Sequence, residues 1–150
     1  MSADVKPTLV FSLVILVISL TGCAREKNCS AFRTGSFYHP LDGGDTAFVQ
    51  RDDSSQVEVR PGRIIRLRVN WMNECEYELR TIAVSEHGQA VTVSDSVKDM
   101  RVSVKIIETA KDYYIFNAIR TDGLTFSDTL WMGRKVTGAF RSVNEVFHQQ

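Results

Sequence analysis

Three histidines, three cysteines and a scatter of carboxylates are the residues of this 150-residue chain with the means to do chemistry. Nucleophilic catalysis needs a base within hydrogen-bond reach of a nucleophile, and zinc-protease chemistry needs two histidines one helical turn apart. His39, His87 and His148 fit neither pattern. They read as members of a loop, a turn and a tail, where solvated surface histidines are expected. The run His39-Pro40-Leu41-Asp42-Gly43-Gly44-Asp45, with Asp52 and Asp53 beyond one strand, offers oxygen ligands for calcium but lacks the spacing of a calcium loop, and two turns are the simpler reading. Cys23, Cys29 and Cys75 have no CxxC spacing and no histidine near them in sequence, which argues against a zinc site. The sequence therefore assigns no catalytic residue, no metal and no cofactor, and the expectation is a protein that is not an enzyme.

Charge narrows the partners further. Lys plus Arg and Asp plus Glu each number 18 and are interleaved, as in Glu76-Tyr77-Glu78-Leu79-Arg80. Binding to a phosphate backbone requires concentrated positive charge, so nucleic acid is not an expected partner.

Near the N-terminus, Leu9 to Leu20 form a 12-residue apolar run broken only by two serines, with Lys6 ahead of it. A transmembrane helix needs about 20 such residues, so the run reads as a secretory signal. It closes on Leu20-Thr21-Gly22-Cys23, which resembles the lipobox of bacterial lipoproteins at every position. That resemblance implies cleavage after residue 22, acylation of Cys23 and a membrane tether. Two acyl chains suffice for stable anchoring at about 0.8 kcal/mol per buried methylene. With Ala24 rather than an aspartate following, the expected address is the outer membrane, facing the periplasm.

Once residues 1–22 are removed, 128 remain, enough for one domain. If Cys23 carries lipid, Cys29 and Cys75 are the remaining pair in a compartment that permits disulfides, and a bridge between them is expected. The organisation expected is a signal peptide (1–22), a lipidated tether (23–34), a β-domain (35–140) and a tail (141–150), with a short helix over 141–148.

The elements that must position these residues repeat with period two. Ile65-Arg66-Leu67-Arg68-Val69-Asn70-Trp71 and Glu74-Cys75-Glu76-Tyr77-Glu78-Leu79-Arg80 alternate apolar and polar residues without a break. A three-residue turn at Met72-Asn73-Glu74 would pair Val69 with Tyr77, Leu67 with Leu79 and, on the outer face, Arg68 with Glu78. Six further segments read as strands: Thr46 to Arg51, Gln56 to Arg60, Ala90 to Val93, Arg101 to Ile107, Tyr113 to Arg120 and Thr125 to Met132. Turn chemistry separates them at Gly43-Gly44, Asp52-Asp53-Ser54, Pro61-Gly62, His87-Gly88, Thr109 to Asp112 and Asp122-Gly123. Eight short strands at meander spacing predict an all-β fold, a single antiparallel up-and-down barrel or strongly curved sheet, with a β-sandwich as the alternative.

Phe32-Arg33-Thr34-Gly35-Ser36-Phe37 and Trp71-Met72-Asn73-Glu74-Cys75-Glu76-Tyr77-Glu78-Leu79 together resemble a group of short, uncharacterised bacterial envelope lipoproteins with a lipocalin-like barrel. Gly35-Ser36-Phe37 is similar to the Gly-x-Trp that opens the first lipocalin strand, with Phe in place of Trp. The resemblance implies a barrel that binds a small apolar ligand.

Candidate lining residues for such a cavity are Leu67, Val69, Trp71, Tyr77, Leu79, Val104, Tyr114 and Phe116; Val57, Val59, Val102 and Ile106 are also expected to point inward. Over 113–119 two faces compete: Tyr113, Ile115 and Ile119 against Tyr114, Phe116 and Ala118. A lipid-anchored binding module is the first functional reading. The second is a structural lipoprotein whose barrel is filled by its own side chains and whose outer face, with Arg66, Arg68, Glu76, Glu78 and Arg80, meets an envelope protein. A cavity discriminates between them, because only the first requires one.

Overall fold

The structure, a computed structural model, describes residues 26–133. The signal segment, Cys23 and the expected helix over 141–148 lie outside the described residues.

Most strand boundaries follow a turn anticipated above; the strands that start at Gly35 and Arg101 instead begin after short helical turns that the sequence did not mark. A 3-10 turn at Cys29–Phe32 leads into β1 (Gly35–Pro40), β2 (Thr46–Arg51), β3 (Ser55–Arg60), β4 (Arg63–Trp71) and β5 (Glu76–Glu86). There follow β6 (Gln89–Val91), a one-turn helix α1 (Asp95–Asp99), β7 (Arg101–Thr109), β8 (Tyr113–Arg120) and β9 (Thr125–Met132). Neighbouring strands pair antiparallel in sequence order, and β9 returns to β1 while β4 pairs with β5, so eight strands close into a barrel. Closure leaves no long unpaired edge. The short β6 is a ninth strand outside that ring. It pairs with Val84–Glu86 of β5, beyond the Glu76–Arg80 stretch that pairs with β7.

The barrel's eighth member is thus Gly35–Pro40 and not the Ala90 to Val93 segment, of which only Ala90 and Val91 pair, in the exposed β6. A strand with no buried residue gains little from packing, and its apolar composition alone was a poor guide to its place.

The β4–β5 hairpin keeps the expected faces and loses the expected register. Trp71 lies opposite Tyr77, Val69 opposite Leu79 and Leu67 opposite Thr81, two positions from the anticipated pairing. The loop is longer because Met72 N–H and Asn73 N–H both donate to Glu76 C=O, and Cys75 N–H donates to Asn73 Oδ1. Cys75 is drawn out of the ladder into a disulfide with Cys29, across Cα atoms 5.1 Å apart. A shift of two preserves which side chains point inward but changes every cross-strand pair. Arg68 accordingly faces Arg80, and Glu78 pairs with Arg101 of β7 at 3.7 Å.

Residues 29–32, placed in the tether by sequence, pack into the barrel instead. Cys29 and Phe32 are buried, and the Phe32 ring lies 5.2 Å from that of Tyr114. Asn28 N–H donates to Thr109 Oγ1. This turn closes one end of the barrel together with the β2–β3, β4–β5 and β7–β8 connections. Beneath it Phe37, Leu67, Val69, Ile106, Tyr114 and Leu130 form one apolar cluster. On β8 the inward face is Tyr114, Phe116 and Ala118, set by pairing of Phe116 with Ile106 and Ala118 with Val104.

The opposite end, with the β1–β2, β3–β4 and β8–β9 turns, stays open. Gly62 makes the β3–β4 turn at φ +69°, and a side chain there would meet the His87 ring at 3.0 Å.

Candidate functional site

From the apolar cluster to the open end the barrel encloses a cavity of about 350 Å³. Its apolar wall is Val49, Leu79, Val102, Val104, Phe116, Phe126 and Leu130. Facing these are His39, Arg51, Gln56, Glu58, Arg60 and Asp128, with Tyr77 between the two sets.

Half of the polar wall, Gln56, Glu58 and Arg60, arises from β3. Sequence reasoning put Val57 and Val59 inside on hydrophobicity, but the Asp52-Asp53-Ser54 turn sets Arg51 opposite Gln56 and Val49 opposite Glu58. Asp52 fixes that turn by accepting from Ser54 N–H, Ser55 N–H and the Ser55 hydroxyl. Once Arg51 and Val49 face inward, so must Gln56, Glu58 and Arg60, because residues directly opposed share a face. Val57 and Val59 are left half-buried on the outside.

Arg51 is the deepest of these groups, at 3% exposure, and sits at the cavity's inner end. Its Nε donates to Gln56 Oε1 at 2.6 Å, and its Nη2 to both Tyr77 Oη and Tyr114 Oη at 2.9 Å. Its Nη1 reaches only Phe32 C=O, at 3.4 Å. Aromatic rings surround the guanidinium, with centroids at 4.5 Å for Tyr77 and 5.3 Å for Phe37. Removing a cation from water costs several kcal/mol, and all these partners are neutral. Burial opposes the charged form of Arg51, but the phenolic oxygens of Tyr114 and Tyr77 outweigh it and hold the pKa above its ordinary value. Burial also pushes the Tyr77 phenol well above its usual pKa, so it remains a proton donor.

A chain of polar contacts leads outward. Gln56 Nε2 donates to Glu58 Oε1 at 2.8 Å, and Arg60 Nη2 pairs with Glu58 Oε2 at 3.2 Å. On the other side of the mouth, His39 Nδ1 stands 3.0 Å from Asp128 Oδ2, close enough for an ion pair but without the alignment of a hydrogen bond. His39 is a strand residue with a side chain 13% exposed, not the solvated loop histidine anticipated from sequence.

Of the eight candidate lining residues, Tyr77, Leu79, Val104 and Phe116 line this cavity. Leu67, Val69 and Tyr114 are buried in the apolar cluster below it, and Trp71 packs against that cluster. The carboxylates considered for calcium are not brought together. Asp42 and Asp45 lie in the β1–β2 turn at the open end, whereas Asp52 and Asp53 lie at the closed end. Among the described residues no group of three potential ligands is placed to hold a metal ion.

Sequence reasoning missed Arg51, Gln56, Glu58 and Arg60. The available signal was the polar alternation Gln56-x-Glu58-x-Arg60, which is as regular as the valine alternation between them. The chain matches no known protein family, and no curated protein or solved structure resembles it significantly. The site's own geometry is therefore what bears on function.

Proposed function

We propose that this chain is a lipid-anchored envelope protein whose lipocalin-like barrel binds one small amphiphilic molecule and performs no chemistry on it. The carrying observation is the cavity of about 350 Å³, open at one end and walled by apolar residues on one side and hydrogen-bonding groups on the other. Ligand pockets are typically about 300–1,000 Å³, so this one suits a small ligand. At roughly 30 Å³ of liquid volume per water, it has room for about a dozen non-hydrogen atoms. A filled barrel that acts only through its outer face has no use for such a space.

The lipobox resemblance adds an orientation. Cys23 precedes Cys29 by six residues, and an extended chain spans at most about 3.6 Å per residue, so an acylated Cys23 lies within about 22 Å of Cys29. Cys29 is fixed at the closed end. The mouth then opens away from the anchoring membrane, and ligand is exchanged with the aqueous side.

The test is a thermal-shift screen of small amphiphiles of about a dozen heavy atoms against the wild-type chain and Val104→Trp, which fills the cavity. A ligand at 100 times its Kd stabilises the folded state by about 2.7 kcal/mol. Hits that stabilise the wild type and not Val104→Trp support the reading. A screen in which no compound distinguishes the two proteins overturns it.

A further inference from the structure

We propose that the inner end of the cavity is a subsite for a single carboxylate, so that the ligand is a small monocarboxylic acid with an apolar body. This inference rests on the ligand-binding reading above and names the chemistry of that ligand.

Two independent accounts of the polar groups point to it. The first is charge. Toward the mouth, Glu58 pairs with Arg60, and Asp128 lies beside His39. Arg51 differs from both: among the described residues it pairs with no carboxylate, and its partners are an amide oxygen, a carbonyl and two phenols. Buried charges are ordinarily paired. A guanidinium buried at the inner end of the cavity with only neutral partners is locally complementary to one negative charge.

The second account is protons. Tyr77 Oη and Tyr114 Oη both accept from Arg51 Nη2 and lie 3.1 Å from each other. Two phenols own two hydroxyl protons, and the bond between them uses one. The other has no acceptor among the described residues. Tyr114 is fully buried beneath the cavity, whereas Tyr77 is on its wall. With Tyr114 donating to Tyr77, the Tyr77 hydroxyl proton is free to meet an acceptor in the cavity. A carboxylate placed there accepts from Tyr77 and neutralises Arg51, satisfying both residual valences at once. An alcohol or amine cannot supply the charge, and a dianionic phosphate brings one charge too many.

The apolar wall sets the rest of the molecule. Leu79, Val104, Phe116 and Phe126 form it, and they suit a short alkyl or aryl body between the carboxylate and the mouth.

The experiment compares three probes of one shape, 4-phenylbutyrate, 4-phenylbutan-1-ol and 4-phenylbutyl phosphate. They are titrated calorimetrically into the full chain in lipid nanodiscs, with empty nanodiscs as the blank. Charge-assisted hydrogen bonds predict that the acid binds at least about tenfold more tightly than the alcohol. In Arg51→Met the two bind within about twofold of each other. Tyr77→Phe, which keeps the ring packing, weakens the acid several-fold and weakens the alcohol by less, because a neutral hydroxyl oxygen is the poorer acceptor. It carries the test if Arg51→Met fails to give a native near-ultraviolet circular dichroism spectrum. Equal binding of acid and alcohol by the wild type overturns the carboxylate subsite while leaving the ligand cavity standing. Tighter binding of the phosphate overturns the single-charge assignment. Failure of all three probes overturns the subsite and counts against the ligand-binding reading itself.

Discussion

Removing the disulfide by Cys29→Ala/Cys75→Ala tests how the closed end is held. The bridge spans a sequence separation of 46 residues. In the chain-entropy account, closing a loop of that length restricts the unfolded state by about 4 kcal/mol. Domains of this size have total stabilities of about 5–15 kcal/mol, so the loss is a large fraction of the whole. The folded state contributes little to the difference, because Cys29 is already packed in the apolar cluster and alanine leaves only a small void. Urea unfolding followed by tryptophan fluorescence is the assay. With m near 2 kcal/mol/M, the midpoint should fall by about 2 M at unchanged m. The wild type in reductant should behave like the double variant. The Phe32 plug depends on the same bridge, so amide exchange should rise first at residues 29–33. A midpoint shift below about 0.5 M would refute the reasoning, since it would mean that the 3-10 turn and Phe32 hold the closed end without the covalent link.

Four further expectations concern the core, a turn, a buried phenol and the anchor. Ile106→Ala, in the packed cluster, should cost near the top of the 2–5 kcal/mol range for such truncations, whereas Leu79→Ala enlarges an existing cavity and should fall near the bottom; equal losses by urea unfolding would contradict the placement of the cavity. The Ser55 hydroxyl and the Ser54 N–H hold the Asp52 pKa below its ordinary value, so its contribution to stability is present above about pH 4 and is lost as pH falls through the folded value. Asp52→Asn should flatten the acid limb of a stability–pH curve, and an unchanged limb would refute it. Tyr77 titrates in the opposite sense. Its folded pKa is raised, so its contribution is intact below about pH 10 and fades at higher pH, and Tyr77→Phe should remove that alkaline loss. For the anchor, Cys23→Ser should move the protein from the membrane fraction to the soluble fraction, and persistence in the membrane would sink the lipidation reading.

The sequence carried the parts of this fold that are local. Gly43-Gly44, Pro61-Gly62, His87-Gly88 and Asp122-Gly123 marked turns because few other residues tolerate that backbone, and the alternation in β4, β5 and β7 named Leu67, Val69, Tyr77, Leu79, Val104 and Ile106 as inward. What remained hidden was non-local. The length of the β4–β5 loop depends on Cys75 leaving the ladder to meet Cys29, and the phase of β3 depends on which residue faces Arg51 across a turn. Period two by itself gives two phases, and the rule that apolar residues point inward chose the wrong one because this interior is half polar. Arg51 is the sharpest case. It ends a strand beside two aspartates and looks solvated, yet its phenolic partners lie 26 and 63 residues away, where no local pattern could link them to it.

Occupancy of the cavity is the central claim, and native mass spectrometry of the protein gently extracted from its own envelope tests it most directly, set against the same sample after denaturation. The account predicts a non-covalent companion of about a dozen non-hydrogen atoms that is released on denaturation and is detected as a carboxylate in negative-ion mode. A protein that carries no companion from its envelope, and gains none when re-exposed to an envelope extract, would contradict it.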